Sequence, residues 1–474
     1  MNPYSRLIPR LNGSEIEERF GYYLGLVKKG VAGFILFGGE LETVREGIKK
    51  LQDAAPQPLI IASDLEQGLG QQIKGGTVFP PAMAVASAIQ SQKSKVRSQR
   101  LLEDTFKAIT LEAGYAGINT IFAPVLDINT NPDNPIIATR AFGEDAETVS
   151  YFGCEMVKIL QQNGVMSCGK HFPGHGDTEI DSHVTLPVIH KDLSTLEQHE
   201  LVPFKNAIHK GLGMIMLGHL RVHSLDPSGK PASISEKVVS YLRNNMTFKG
   251  LVITDAMNMG ALGEYHELEA SAMALNAGVD LLLHPTDSDR TALFLRQKNY
   301  LPQPLTHNLT RVHNAVPFDF KEHRRLSEEL SRRAITVEGQ MGGKSKAPFV
   351  LLVNDEHTGK GDVFLNAISR AYPGVRHCSL FPEDTISLSA FPEDSALTVC
   401  VFSQIGAWKG KNAGWLRRTV QGLAGKAEIF ISFGNPYVIK RLENVTKIYA
   451  FWDSDSAQKA VAELLSNRES IHRR

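Results

Sequence analysis

The 474-residue chain is poor in cysteine: Cys154, Cys168, Cys378 and Cys400 stand far apart, with no CxxC pair. That argues against a disulfide framework and predicts reduced, mostly buried thiols in a cytoplasmic protein. It also lacks an excess of charge of either sign, with 51 basic against 51 acidic residues. Without a basic field to attract a phosphate backbone or an anionic lipid surface, nucleic acid and membranes are excluded as expected partners. No apolar run approaches the ~18 residues of a membrane span. The N-terminal stretch MNPYSRLIPRLNGSEIEERF carries charges throughout and has no uninterrupted apolar segment, so no signal peptide is expected. What is present is a hydrophobic fraction of 42% with 22% charged residues, ordinary for a globular protein that buries a large core.

Up to about residue 335, short apolar runs of strand length alternate with longer amphipathic stretches, the rhythm of β/α units. Candidate strands are 33–37, 58–63, 120–125, 165–169, 214–217, 251–254 and 278–283, with an eighth masked. Continuously apolar strands with intervening helices fit a parallel sheet covered on its outside, and a (β/α)8 TIM-type barrel is the simplest closure. An open doubly wound sheet remains the alternative, because it too gathers ligands at strand C-termini. The stretch AITVEGQMGGKSKA reads as a linker, and beyond it a second alternation predicts a smaller α/β sandwich domain. The expected division is a catalytic barrel over 1–335, a linker over 336–347 and the sandwich over 348–474. Trp408, Trp415 and Trp452 all fall in that last part, as core or interface residues or as sugar-stacking platforms.

Polar residues gather just after the predicted strands: Asp64 and Glu66, Asp127, Lys170 and His171, His219, Asp255 and His284. The densest cluster is KHFPGHGDTEIDSH, 170–183. His171 and His175 have helical metal-ligand spacing, but Pro173 and Gly174 between them break a helix, so the segment reads as a loop and not as a zinc site of the HExxH kind. Its glycines, Gly174 and Gly176, make opening and closing of the loop an expectation. Asp181 and His183, two apart on an extended segment, point to one side, where a carboxylate can orient an imidazole as a general acid/base. A loop histidine merely tied down by its aspartate is the alternative. Asp255, after the strand-like LVIT, lies at the barrel mouth or else caps the next helix.

KHFPGHGDTEIDSH closely resembles the signature of family 3 glycoside hydrolases, specifically the β-N-acetylglucosaminidase branch. SDLE, FAPVLDINTNPDNPIIATRAFG and FKGLVITDAMNMGAL extend the similarity over most of residues 30–290. The resemblance implies Asp255 as nucleophile, His183 as acid/base polarised by Asp181, and Asp64, Arg140, Lys170 and His171 as sugar-binding residues. It implies a retaining β-N-acetylglucosaminidase that needs no metal or organic cofactor, takes a small saccharide as its partner, and acts on peptidoglycan-recycling fragments or chitooligosaccharides. One departure stands out: where the family reads DxEGGRV with a further arginine, this chain reads DLEQGLGQQI, placing Leu69 and Gln72 at the arginine positions. Altered affinity, not lost activity, is the expectation. Three alternatives are a phosphorylase on the same scaffold, a metal-dependent barrel hydrolase using His171, His175, Asp177 and His219, and a sugar-binding protein without catalysis.

Overall fold

The computed structural model describes residues 2–178, 185–300, 317–340, 348–385, 391, 396–403 and 412–466. Asp181, His183 and Trp408 lie outside the described residues. Two compact units emerge, one of 1–79, 100–134 and 141–324, the other of 80–99, 135–140 and 325–474.

The first unit is a closed ring of parallel strands. Leu251–Thr254, Met214–Leu217, Met166–Phe172, Thr120–Ile121, Ile60–Ser63, Gly33–Phe37 and Arg10–Asn12 pair in that order. Closure comes from the eighth strand, which the apolar-run reading missed because Pro9 interrupts it. Leu7 and Ile8 pair with Leu282 and Leu283, whereas Arg10 to Asn12 pair with Gly33–Phe37 on the other side. A bridge between Leu281 and Ile253 completes the ring. Proline has no N–H to give a ladder, and here none is needed: the strand changes partners at Pro9, whose carbonyl still accepts from the Ile35 N–H at 2.9 Å.

Every strand sends apolar side chains inward. Ile8, Ile35, Ile60, Ala62, Phe122, Cys168, Met214, Met216, Leu251, Ile253, Leu281 and Leu283 form one cluster, none of them more than 3% exposed. The barrel interior is therefore a packed core and not a channel, and chemistry is left to the rim. The strand expected at 165–169 runs on to Phe172, so Lys170 and His171 belong to a strand and not to a loop. The ladder explains the extension: Lys170 bridges to Val125, the Leu126 N–H donates to the Lys170 carbonyl at 2.7 Å, and the Gly218 N–H donates to that of Phe172 at 3.0 Å.

The second unit carries a six-stranded sheet in the order Thr336–Glu338, Thr446–Tyr449, Ala427–Gly434, Ala396–Ser403, Pro348–Asn354 and Arg376–Leu380. Only the first strand is antiparallel. That strand lies in the stretch read as linker, where the β-branched Thr336 and Val337 suit an extended edge. Val350, Leu352, Cys400, Phe402, Ile431 and Phe433 on the sheet meet Phe364 and Ile368 of the helix Asp362–Ala371 and Val461 of Asp455–Ser466, which makes an α/β sandwich. Trp452 packs against this core, and the Trp415 indole N–H donates to the Asp384 carbonyl at 3.2 Å.

Candidate active site

Because all barrel strands are parallel, the residues after their C-termini share one face, where barrel enzymes keep their catalytic groups. Lys170 is the centre of one group there. Only 2% exposed, its Nζ lies 2.7 Å from Asp64 Oδ1 and 2.6 Å from Glu66 Oε1. A buried ammonium needs such partners, because an unpaired buried charge costs several kcal/mol. Two carboxylates thus share the one ammonium. Asp64 keeps 29% of its side chain exposed and Glu66 only 8%, so Asp64 is the one that reaches the opening.

Asp127 is the centre of a second group. Fully buried, it takes the His171 Nδ1 at 2.7 Å, the His171 N–H at 3.2 Å and the His175 N–H at 2.7 Å. Burial alone would raise its pKa, but the nearby His171 charge and these bonds outweigh burial and hold it below the usual carboxylate value. With Nδ1 given to the carboxylate, His171 presents Nε2 as its remaining polar atom.

His175 turns inward. Its Nδ1 lies 2.7 Å from Thr178 Oγ1, and the Asn134 amide donates to its carbonyl at 2.8 Å. Burial first, and then the charge of His171, push its imidazole down to about 4. In the fold it stays neutral where an unfolded histidine, near 6.5, takes up a proton. The unfolded state then binds more protons between pH 6.5 and 4, so the stability this site contributes is complete above that window and is lost as pH falls through it. Urea unfolding at pH 5 against pH 7 should show a loss of about 2 kcal/mol from this group. The His175→Gln variant should be less stable at pH 7 but should have a flatter slope with pH; equal slopes in both proteins refute the assignment.

The glycines of this segment have a packing role. A Cβ on Gly176 would stand 1.8 Å from the Ile128 carbonyl oxygen, and one on Gly174, at φ +129°, would press on Glu200. They are small so that the turn can pack against its neighbours.

Asp255 follows Leu251–Thr254 directly. Its N–H donates to the Leu217 carbonyl at 2.9 Å and its Oδ1 accepts the Ala256 N–H at 2.8 Å. The helix-capping alternative fails, since the next α-helix begins at Glu267 with His266 as its cap. His219 fixes the same turn: its Nε2 donates to the Ala256 carbonyl at 3.0 Å while Nδ1 faces Ser233 Oγ at 2.7 Å. The charges of Lys170, Asp64 and Asp255 all act on the buried Cys168 thiol beneath them, and Asp255 also acts on His175. All three charges thus lie within electrostatic reach of that one buried thiol.

The metal-dependent alternative is not assembled. His175 is bound to Thr178, Asp177 to Thr130 and Lys191, and His219 to Ser233 and Ala256. Among the described residues no group of three or more His, Cys, Asp or Glu could hold a metal ion. Arg140 ends the short turn Ala138–Arg140 in the 135–140 segment of the second unit, and its guanidinium donates to the Ile136 carbonyl at 3.2 Å. Glu66 and Asp127, for which the sequence supplied only a place after a strand, turn out to hold Lys170 and His171. Leu69 is fully buried, so the loop packs inward where the family pattern has a cation, and Gln72 follows in the same tight turn.

A closed barrel of eight parallel strands, with carboxylates, a lysine and histidines after the strand ends, defines a TIM-barrel enzyme. The chain belongs to glycosyl hydrolase family 3, whose N-terminal domain matches residues 24–313, and it is a glycoside hydrolase. It is 29% identical to "Beta-hexosaminidase A" of Pseudoalteromonas piscicida, over 86% of this chain and 80% of that protein. It is 33% identical to the "Beta-hexosaminidase" of Idiomarina loihiensis over 54% of this chain and 77% of that one. The solved family 3 β-N-acetylglucosaminidase of Paenibacillus sp. str. FPU-7 superimposes with a TM-score of 0.77 at 27% identity, covering 98% of this chain and 96% of that one. Its barrel followed by an α/β domain is the architecture expected from the sequence.

Proposed function

We propose that this glycoside hydrolase removes terminal non-reducing β-linked N-acetylglucosamine with retention of configuration, through a covalent glycosyl ester on Asp255. The observation that carries the reading is the placement of Asp255: a carboxylate at a strand end, its Oδ1 fixed by the Ala256 N–H, on the same rim as the Lys170 group. A fixed carboxylate can attack the anomeric carbon as the glycosidic bond breaks. The group in KHFPGHGDTEIDSH that protonates the leaving oxygen is His183, oriented by Asp181. The same imidazole then takes a proton from the water that hydrolyses the ester.

Asp64, Lys170 and His171 grip the ring hydroxyls. The carboxylates of Asp64 and Asp255 favour the oxocarbenium-like positive charge of the transition state. Arg140 is a further sugar contact in this reading, on the strength of its motif. The β-hexosaminidase names of its relatives support the choice of sugar. With Leu69 and Gln72 at the arginine positions the loop lacks those two cations, which favours neutral chitooligosaccharides or the sugar end of peptidoglycan fragments over recognition of an acidic aglycone there. The four unpaired thiols support a reducing, cytoplasmic setting, which fractionation of the cells of origin tests.

The test is release of aryl alcohol from aryl β-GlcNAc and aryl β-glucoside, with NMR of the first sugar formed. Cleavage of the GlcNAc substrate alone, giving the β-anomer first, is expected, and added phosphate should leave the products unchanged. The α-anomer first, or equal turnover of the glucoside, would overturn the reading.

A further inference from the structure

Asp64 and Glu66 open the 64–79 loop, and that loop is closed on itself. The Phe79 N–H donates to the Gln67 carbonyl at 2.7 Å, the Gln67 amide returns to the Phe79 carbonyl at 3.1 Å, and the Gly70 N–H donates to the Thr77 carbonyl at 2.8 Å. The limb that returns through Thr77 therefore sets the position of the limb that carries Glu66. What holds the returning limb is a carboxylate from another element. Glu112, in the helix Lys95–Tyr115, is 0% exposed, and its Oε2 accepts the Thr77 N–H at 2.8 Å.

The other oxygen, Oε1, lies 2.8 Å from Nδ1 of His323, whose ring stacks on Phe318 with centroids 5.1 Å apart and planes 4° from parallel. The next residue, Arg324, donates to the Gly75 carbonyl of the same loop at 3.1 Å. A carboxylate is not buried to this degree for packing, because desolvating it is costly and a leucine would fill the space more cheaply. Its two oxygens join one backbone N–H of the loop to one imidazole of the helix Phe320–Ala334.

We propose that Glu112 is a positioning residue for the sugar site: by tying Thr77 to His323 it holds the loop so that Asp64 and Glu66 meet Lys170. The inference rests on the reading of Asp64 and Lys170 as sugar-binding residues. Glu112 touches no reacting atom, so its loss acts on binding and not on the chemical step. Leaving a buried donor unpaired is expected to raise KM for aryl β-GlcNAc about tenfold in Glu112→Ala, with kcat changed less than about twofold.

Two measurements on the full chain test this. In Glu112→Ala, amide hydrogen exchange over 65–79 should accelerate while the strands at 214–217 and 251–254 keep their protection, and KM should rise as stated. Glu112→Gln, which keeps an oxygen for the Thr77 N–H, should return KM to within about threefold of wild type. If Glu112→Ala does not fold, His323→Ala and Arg324→Ala serve instead, with the same exchange pattern and a smaller rise in KM expected. Uniformly faster exchange, or a loosened loop with unchanged KM, overturns the proposal. Should the wild type fail to cleave aryl β-GlcNAc, the reading of function fails, and loop exchange alone then decides whether Glu112 holds the loop.

Discussion

Asp255→Ala loses release of aryl alcohol from aryl β-GlcNAc by on the order of a thousandfold or more, which corresponds to at least about 4 kcal/mol of transition-state stabilisation. The loss is so large because no other described carboxylate can take over as nucleophile. Asp64 and Glu66 are held by Lys170, and Asp127 lies fully buried beneath His171. The conservative Asp255→Asn variant keeps the bond to the Ala256 N–H and is expected to be as inactive, which separates the chemical role from the structural one. Azide added to Asp255→Ala should restore turnover and yield a glycosyl azide of α configuration, because a small anion can enter the space the carboxylate leaves and attack from its side. Thermal unfolding of both variants should show no fall in midpoint. A variant that retains more than a tenth of wild-type kcat would show that Asp255 is not the nucleophile.

Lys170→Met lowers both stability and activity. Methionine fills the stem's space but removes the cation between Asp64 Oδ1 and Glu66 Oε1. Two carboxylates are left facing each other beside the barrel core, and breaking a buried pair in this way costs about 3–5 kcal/mol. Unfolding in urea measures that cost directly. The double variant Lys170→Met with Glu66→Gln should recover part of it, since the repulsion is then gone, so the two substitutions should be clearly non-additive. Activity should not recover in the double variant, because the ammonium proposed to grip the sugar is still missing. Simple additivity would mean that the three side chains are not coupled as the distances imply.

How far the sequence discloses the fold depends on the kind of signal. Seven strands show as apolar runs because buried parallel strands contain little else. The first strand hides because Pro9 breaks the run, and its pairing on two sides is a property of closure that no local pattern carries. Lys170 and His171 read as loop residues because charge and ring follow the apolar stretch, yet ladder bonds from Leu126 and Gly218 extend the strand through them. The grouping of 80–99 and 135–140 with the second unit depends on contacts between distant segments and has no local trace.

The site divides the same way. Asp64, Lys170, His171 and Asp255 are legible from position and resemblance, and the structure gathers the first two through a direct ion pair. Glu66 and Asp127 are visible only as strand-end residues, because holding a neighbour's side chain leaves no motif of its own. Asp255 reads as a possible helix cap until the following segment is seen to turn through Gly260–Leu262 before any α-helix starts. His219, a metal candidate by residue type, is instead a clamp on the Asp255 turn, a role set by Ser233 and Ala256.

The divided first strand also bears on the order of assembly during synthesis. Leu7 meets Leu282 across about 275 intervening positions, so the seam stays open until nearly the whole ring has left the ribosome. At ~10 residues per second that wait is on the order of half a minute. For that interval Leu7, Ile8 and the open edge of the growing sheet have no permanent neighbour, and a nascent chain in this state is exposed to pairing with other chains.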